Sequence, residues 1–229
     1  MSRKLAFALL RMDESGIQMK LRKIPGSGYD NDTQNKILDE ATKLFALNGV
    51  GAVSMRDIAK ASETQTSTIY YYYESKELLL EDVLARFEKS YLHYFEWLKE
   101  ANAKVESVEE LMDNMFNKEL LKMLDPMNCL GMSLAIKEHH RSSSARKRFF
   151  ELFFEHSLEY MQADFDNLAE KGIIPRTNTK IIAAIFMSCV MVGNDIRIHK
   201  YAGVKPPVNY MDFFDDLKVF LTSALKKGI

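Results

Sequence analysis

From Ser75 to Asn102 the chain carries apolar residues at helical spacing without a break. Leu80, Val83, Leu84, Phe87, Tyr91, Tyr94, Phe95 and Leu98 make one stripe, the signature of a helix with one buried face. A helix of this length predicts a connection between two domains. Little elsewhere interrupts segments of the same kind, because the 229 residues include only 5 Pro and 10 Gly. Few breakers and long periodic runs predict an all-α fold, divided into an extension (residues 1–32), a short-helix domain (33–80) and a helical bundle (81–229).

The bundle helices follow from the same periodicity. Val108, Leu111, Met112, Met115 and Phe116 mark one, ending near Asp125-Pro126. Cys129 to His139 is the next. Ser144 to Lys171 reads as one long helix with Phe149, Leu152, Phe153, His156 and Tyr160 aligned. Thr177 or Thr179 starts a helix to about Tyr201, carrying Ile182, Ile185, Cys189, Val192 and Ile196. Asn209 caps the last, which ends at Gly228.

Before the long helix lie three short ones. The first runs from about Thr33, capped by Asp32 or Thr33, to Leu47, with Ile37, Leu38, Ala41, Leu44 and Phe45 on one face and Asn48-Gly49 as its stop. Ser54 opens the second, with Asp57 placed to complete a near capping box. It must stop near Ser62. The third begins near Gln65 or Thr66. Ile69 and Tyr73, four apart, are predicted to bury together, which turns Thr66, Ser67, Tyr70 and Tyr71 outward and leaves Tyr72 at the margin. Two short helices joined by a tight turn form a helix-turn-helix, whose second helix enters the major groove of DNA.

The chemistry of that outward face suits DNA. Thr66, Ser67 and Thr68 lie at a helix N-terminus, where N–H groups attract phosphate, and their hydroxyls reach backbone or base edges. Tyr70 and Tyr71 offer hydroxyl donors and ring faces. Lys76, one turn further on, is placed for a phosphate, and Ser54 caps a helix that abuts the backbone. The opposing reading makes the tyrosines surface filler and Lys76 a solvated charge. The formal net charge of −1 means that any nucleic-acid contact is local. Residues 33–82 hold five Lys or Arg against eight Asp or Glu, so weak non-specific affinity is expected.

Residues 33 to 84 resemble the DNA-binding domain of the tetracycline-repressor (TetR) family. The match is carried by Ile37, Ala41, Phe45, Gly49, Ser54, Arg56-Asp57-Ile58-Ala59-Lys60, Thr68-Ile69-Tyr70, Tyr73 and Ser75-Lys76-Glu77-Leu78-Leu79. The resemblance implies that Thr66, Ser67, Tyr70, Tyr71, Tyr72 and Lys76 occupy DNA-contacting positions. It also implies a C-terminal ligand-binding and dimerisation domain whose last two helices pair across a twofold axis. The turn departs from the family: Ser62-Glu63 replace Ala-Gly, Thr64 a hydrophobic residue, Gln65 a Ser cap and Ser67 a Gly. The Gly position normally has positive φ, unfavourable for a residue with a Cβ, so either a shifted or loosened turn or a changed operator is expected.

In the bundle, Met112, Met115, Phe116, Met123, Met132, Phe153, Tyr160, Phe186 and Met187, with His156 as a polar group, suit an adaptable pocket for an apolar or amphipathic effector. The plain alternative is ordinary core. The last two helices carry spare apolar surface, and Ala184, Met187, Ser188, Met191, Phe214, Leu217 and Leu221 are the expected dimer residues. A dimer also meets the need of two recognition helices to reach successive major grooves on a palindromic operator.

Other classes find less support. His139, His140 and His156 lack paired metal-ligand spacing, and no cofactor is expected. No nucleophile elbow, phosphate loop or acid–base pair suggests an enzyme. Cys129 and Cys189 show no redox spacing and fit a reducing cytoplasm. The run Leu5 to Leu10 is shorter than a signal core, and no segment is expected to span a membrane. Residues 1–32 read either as a basic arm on DNA or as a loosely packed tail. The leading reading is a ligand-responsive homodimeric regulator, most simply a repressor. The alternative is a ligand- or partner-binding protein with a vestigial helix-turn-helix, suggested by Glu63 and the acidic balance.

The third helix has no Arg to pair bidentately with guanine. Binding-site selection from a random pool is therefore expected to enrich A·T-containing half-sites; strong enrichment of G·C under the helix would contradict this.

Overall fold

The structure is a computed structural model that describes residues 30–117, 126–141, 143–176, 178–201, 203–205 and 208–228. The proposed arm of the extension and Met123 lie outside them. Ten α-helices are described: α1 (Asp30–Asn48), α2 (Met55–Ala61), α3 (Thr66–Tyr72), α4 (Lys76–Asn102), α5 (Val108–Met115), α6 (Pro126–Glu138), α7 (Ser143–Phe150), α8 (Ser157–Glu170), α9 (Thr179–Tyr201) and α10 (Tyr210–Lys227). No strand occurs among the described residues.

Local chemistry sets the boundaries. α1 begins at Asp30, ahead of the expected cap, and stops where Gly49 takes φ 82° and its N–H returns to the Phe45 carbonyl at 2.9 Å. A side chain would strain there. Val50–Ala52 form one 3₁₀ turn. Ser75, Ser107 and Asn209 cap α4, α5 and α10 by accepting from the N–H of Leu78, Glu110 and Met211. α10 ends on left-handed Gly228.

Two hydrophobic clusters result. The first joins Ile37, Ala41, Phe45, Ile58, Ile69 and Tyr73 to Leu79, Leu80 and Val83 of α4, and also takes in Leu130 and Leu134 of α6. Residues of the bundle thus complete the core of the three short helices. The second runs from Phe87 and Tyr91 through Leu111, Met115, Met132, Phe165, Phe186 and Leu221. α4 and α6 contribute to both. They meet so closely at Gly131 that a Cβ there would lie 2.8 Å from the Phe87 ring.

Three expectations change. The segment expected as one long helix is interrupted by a π turn at Glu151–His156. The buried residues are Phe149, Phe153, Ser157, Met161, Phe165 and Leu168; the spacing of four across the turn drifts off one face in ordinary α geometry, and the wider π turn realigns it. His156 and Tyr160 are thereby moved to the edge of the core.

On α9 the expected core stripe is split: Ile182 and Ile196 are buried as expected, whereas Ile185 and Val192 are not. Ile182, Ala183, Phe186, Met187 and Val190 are buried, whereas Ile181, Ile185 and Val192 are exposed. Met187, Phe214, Leu217 and Leu221, expected at a dimer surface, lie in the subunit's own core. Of the others, Ser188 is exposed and Ala184 and Met191 are half-buried. The outward apolar residues of α10 are Met211, Val219 and Phe220. Finally, Thr179–His199 is long and apolar enough to cross a membrane by length and composition, with mean hydropathy 1.7. It passes because it is apolar on two faces, one of which is in the core.

Gly131→Ala forces the two helices apart or the Phe87 ring aside. Overpacking of this kind costs about 1–3 kcal/mol. Denaturant unfolding at fixed protein concentration is expected to show that loss; a variant as stable as the parent would contradict the close approach.

Candidate nucleic-acid interface

The interface is built from the ends of two short helices. Ser54 completes a full capping box with Asp57: each backbone N–H reaches the other's side chain, at 2.9 and 3.2 Å. The Ser54 hydroxyl also donates to Asp57 at 2.6 Å. These bonds hold the Asp57 carboxyl below its ordinary pKa, the Ser54 hydroxyl contributing most.

The turn that follows is neither shifted nor loose. Glu63 adopts φ 54°. Its N–H reaches the Lys60 carbonyl at 3.3 Å, and that of Thr64 reaches Ala59 at 2.9 Å. This pair of bonds is a Schellman closure around a left-handed residue, the place where Gly is favoured. The Glu63 carboxylate meets the Lys36 ammonium of α1 at 2.5 Å, a pair exposed on both sides, and that hydrogen bond keeps its pKa low. Ser62 is buried, its hydroxyl returned to the Ile58 carbonyl at 2.8 Å. Gln65 occupies the N-cap of α3 without a side-chain capping bond, and Thr64 does not replace it there.

α3 then presents the expected face. Ile69 and Tyr73 are buried, whereas Tyr70 and Tyr71 are 53% and 62% exposed. Ser67 is exposed and Thr66 and Thr68 half-buried. Tyr72 lies between, its ring edge-on to Tyr71 at 5.1 Å. Tyr73 fixes the helix end. Its hydroxyl donates to Asp82 of α4 at 2.7 Å and accepts from Gln34 of α1 at 3.1 Å. Burial, with the Asp82 bond, pushes the phenol well above its ordinary pKa, so it stays protonated.

Lys76 differs from expectation. Its ammonium donates to the carbonyls of Val50 and Val53 at 2.8 and 2.9 Å, tying α4 to the link before α2. Two of its three donors are spent inside the fold, which a sequence does not reveal. Arg56, exposed in the first turn of α2, makes no ion pair among the described residues; its signals in the sequence were its position beside the Ser54 cap and its place in the family-like run Arg56 to Lys60.

Most of the proposed effector residues are brought together in the packed second core. Met112, Met115, Met132, Phe153 and Met187 share the second core, with Phe116 packed on it. Phe116 meets Phe186 at 5.5 Å and Phe214 at 6.1 Å, whereas Phe153 stacks on Phe87 at 5.4 Å. Two polar groups stand out. His156 packs on Tyr160 at 4.6 Å and its Nδ1 is buried without a partner. Burial lowers its pKa, with Lys99 assisting and Glu159 opposing. Asn194 on α9, missed from the sequence, is fully buried and neither amide atom has a partner.

Comparison with known proteins adds independent findings. Residues 37–83 match the family described as bacterial regulatory proteins, tetR family. The chain is 28% identical over 204 residues to the probable HTH-type transcriptional regulator YttP of Bacillus subtilis (strain 168), covering 86% of this chain and 95% of that protein. It is 35% identical over 54 residues to the HTH-type transcriptional repressor KstR2 of Rhodococcus jostii (strain RHA1), covering 24% of this chain and 26% of that one. Among solved structures, the ketosteroid transcriptional regulator KstR2 of Mycobacterium tuberculosis shares the fold at TM-score 0.66 and 14% identity, over 84% of this chain and 94% of that one.

The left-handed conformation of Glu63 can be isolated by a pair of substitutions. Glu63→Gly and Glu63→Ala both remove the Lys36 pair, but only Ala keeps the Cβ. The Gly variant is expected to melt a few degrees above the Ala variant; equal melting temperatures would mean that the turn is not left-handed.

Proposed function

The chain belongs to the TetR family of DNA-binding transcriptional regulators, and we propose that it acts as a homodimeric cytoplasmic repressor released from a palindromic operator by a small apolar or amphipathic effector. The observation that carries this reading is the outward face of α3, held by a closed turn despite Glu63. Thr66, Ser67, Tyr70 and Tyr71 are the base- and phosphate-contacting residues in this proposal, with Ser54, Arg56, Thr68 and Tyr72 at the margins. In this proposal the remaining Lys76 donor is left for the DNA backbone.

The dimer is assigned to the exposed apolar stripe Ile181, Ile185 and Val192 of α9 and to Val219 and Phe220 of α10, the last two 71% and 58% exposed. Burying such a surface in a second copy is favourable. The effector is assigned to the second core, where Asn194 and His156 supply unpaired polar atoms in an apolar setting. An unpaired buried amide costs roughly 1–3 kcal/mol, which a ligand that hydrogen-bonds it would recover. Met-rich surroundings repack around such a guest. Its differential affinity for two subunit arrangements then sets the spacing of the recognition helices.

A mobility-shift assay with the DNA upstream of the chain's own coding region tests the reading. Wild type is expected to retard it. Tyr70→Ala, which removes an exposed ring, is expected to weaken that complex roughly tenfold or more with no change in thermal stability. Retardation unaffected by Tyr70→Ala would remove α3 from the interface.

A further inference from the structure

The helix-turn-helix region is acidic, yet a DNA-binding protein needs cations near phosphate. The sequence has them elsewhere. Residues 137–148 include Lys137, Arg141, Arg146, Lys147 and Arg148 against one carboxylate, Glu138, with His139 and His140 between them. This segment belongs to the bundle by sequence, but two contacts fasten it to the DNA-binding end of the molecule.

Lys137 donates to the Ala46 carbonyl of α1 at 2.7 Å. Ala46 lies just before the 3₁₀ turn whose end receives Lys76 and leads into the Ser54 cap. Arg148 holds Glu81 and Glu88 on α4, with Nη1 3.3 Å from Glu81 and Nε 2.9 Å from Glu88. Glu81 is five residues past Lys76, about 7.5 Å along the helix.

The direction of the chain is also fixed. Phe153 packs on Phe87 and Tyr91, Ser157 shares a hydrogen bond with Tyr91, and Asp164 accepts from Asn102. α7 and α8 therefore run alongside α4 in the same sense. Residues before Arg148 therefore lie on the side of Arg148 that points toward the α4 N-terminus, the end that carries Lys76.

Within the segment the cations divide by role. Lys137 and Arg148 are anchors, and Arg141 pairs with Glu138 at 3.1 Å. Arg146 is exposed and makes no ion pair among the described residues. The Lys147 side chain is 74% exposed and only 3.6 Å from Glu151, a loose pair on its own helix, which solvent screens.

We propose that the bundle carries part of the DNA-binding surface: Arg146 and Lys147 hold the phosphate backbone flanking the half-site read by α3. The proposal rests on the DNA-binding reading above. It assigns to the ligand-binding half the electrostatic grip that the helix-turn-helix itself lacks, so a shift of that half moves the phosphate contacts as well as the recognition helix.

The test is the salt dependence of binding by the full chain to a random-sequence duplex and to the upstream DNA. Each phosphate contact contributes about 0.9 to the slope of log K against log salt. Arg146→Ala/Lys147→Ala is expected to flatten the slope by about 1 to 2 and to weaken both DNAs equally. Arg146→Lys/Lys147→Arg is expected to keep the wild-type slope, and Tyr70→Ala to weaken only the upstream DNA. An unchanged slope in the double Ala variant overturns the proposal, as does weakening confined to one DNA. A wild type that binds neither duplex overturns the parent reading and this one with it. Thermal melting of the variants, expected to match wild type, separates these outcomes from misfolding.

Discussion

The close approach of α6 to α4 at Gly131 and Phe87 is what makes two hydrophobic cores into one body. α4 changes partners along its length, from Leu79, Leu80 and Val83 in the first core to Phe87, Tyr91 and Phe95 in the second. α6 does the same across its width, giving Leu130 and Leu134 to one and Cys129, Met132 and Ala135 to the other. A helix with packed side chains on both sides of a boundary cannot tilt without disturbing both, because interiors are dense and deform little. Removing the Cβ at residue 131 is what lets the two shared helices touch at that boundary.

Polar links extend this coupling to the DNA-facing helix. Tyr73, at the end of α3, is bonded to Asp82 on α4 and to Gln34 on α1. One turn along, Arg86 meets Asp39 of α1 at 2.6 Å. The orientation of α3 is thus tied to α4 by a buried ring and a hydroxyl bridge, while the Lys76 bonds to Val50 and Val53 tie α4 to the link before α2. In the proposed reading, an effector in the second core that prefers another position of α4 would act on α3 through these groups, and bound DNA would act back on the effector by the same free energy.

Much of this was legible in the sequence because it is local. Capping residues such as Ser54 and Asn209 announce helix starts from their side-chain chemistry alone, and Ile69 with Tyr73 sets the register of α3. What failed was whatever depends on a distant partner. Lys76 looked like a phosphate ligand because its carbonyl partners lie more than twenty residues away. The faces of α9 could not be ranked, since both are apolar and periodicity is silent on which one meets the core. Phe214, Leu217 and Leu221 were misplaced for the same reason. The π turn escaped because a spacing of four reads as helix whether or not it stays on one face. The turn at Glu63 looked loosened because its conformational penalty is visible in the sequence, but the Ala59 and Lys60 carbonyls that hold it are not.

Asn194 sharpens the distinction between packing and function in the second core. It is fully buried on α9, next to Gly193, whose backbone sits against the Phe213 and Phe214 rings. An apolar residue of similar size would fill the same space without leaving a donor and an acceptor unpaired, and would make the isolated subunit more stable. In the proposed reading, the cost of that unpaired amide is offset when an effector group able both to accept and to donate arrives beside it. The effector proposed above is then an apolar molecule bearing a hydroxyl, carboxyl or amide rather than a pure hydrocarbon. His156, kept toward its neutral form by burial, adds a second unpaired nitrogen in the same half of the molecule, able to serve as donor or acceptor according to its tautomer.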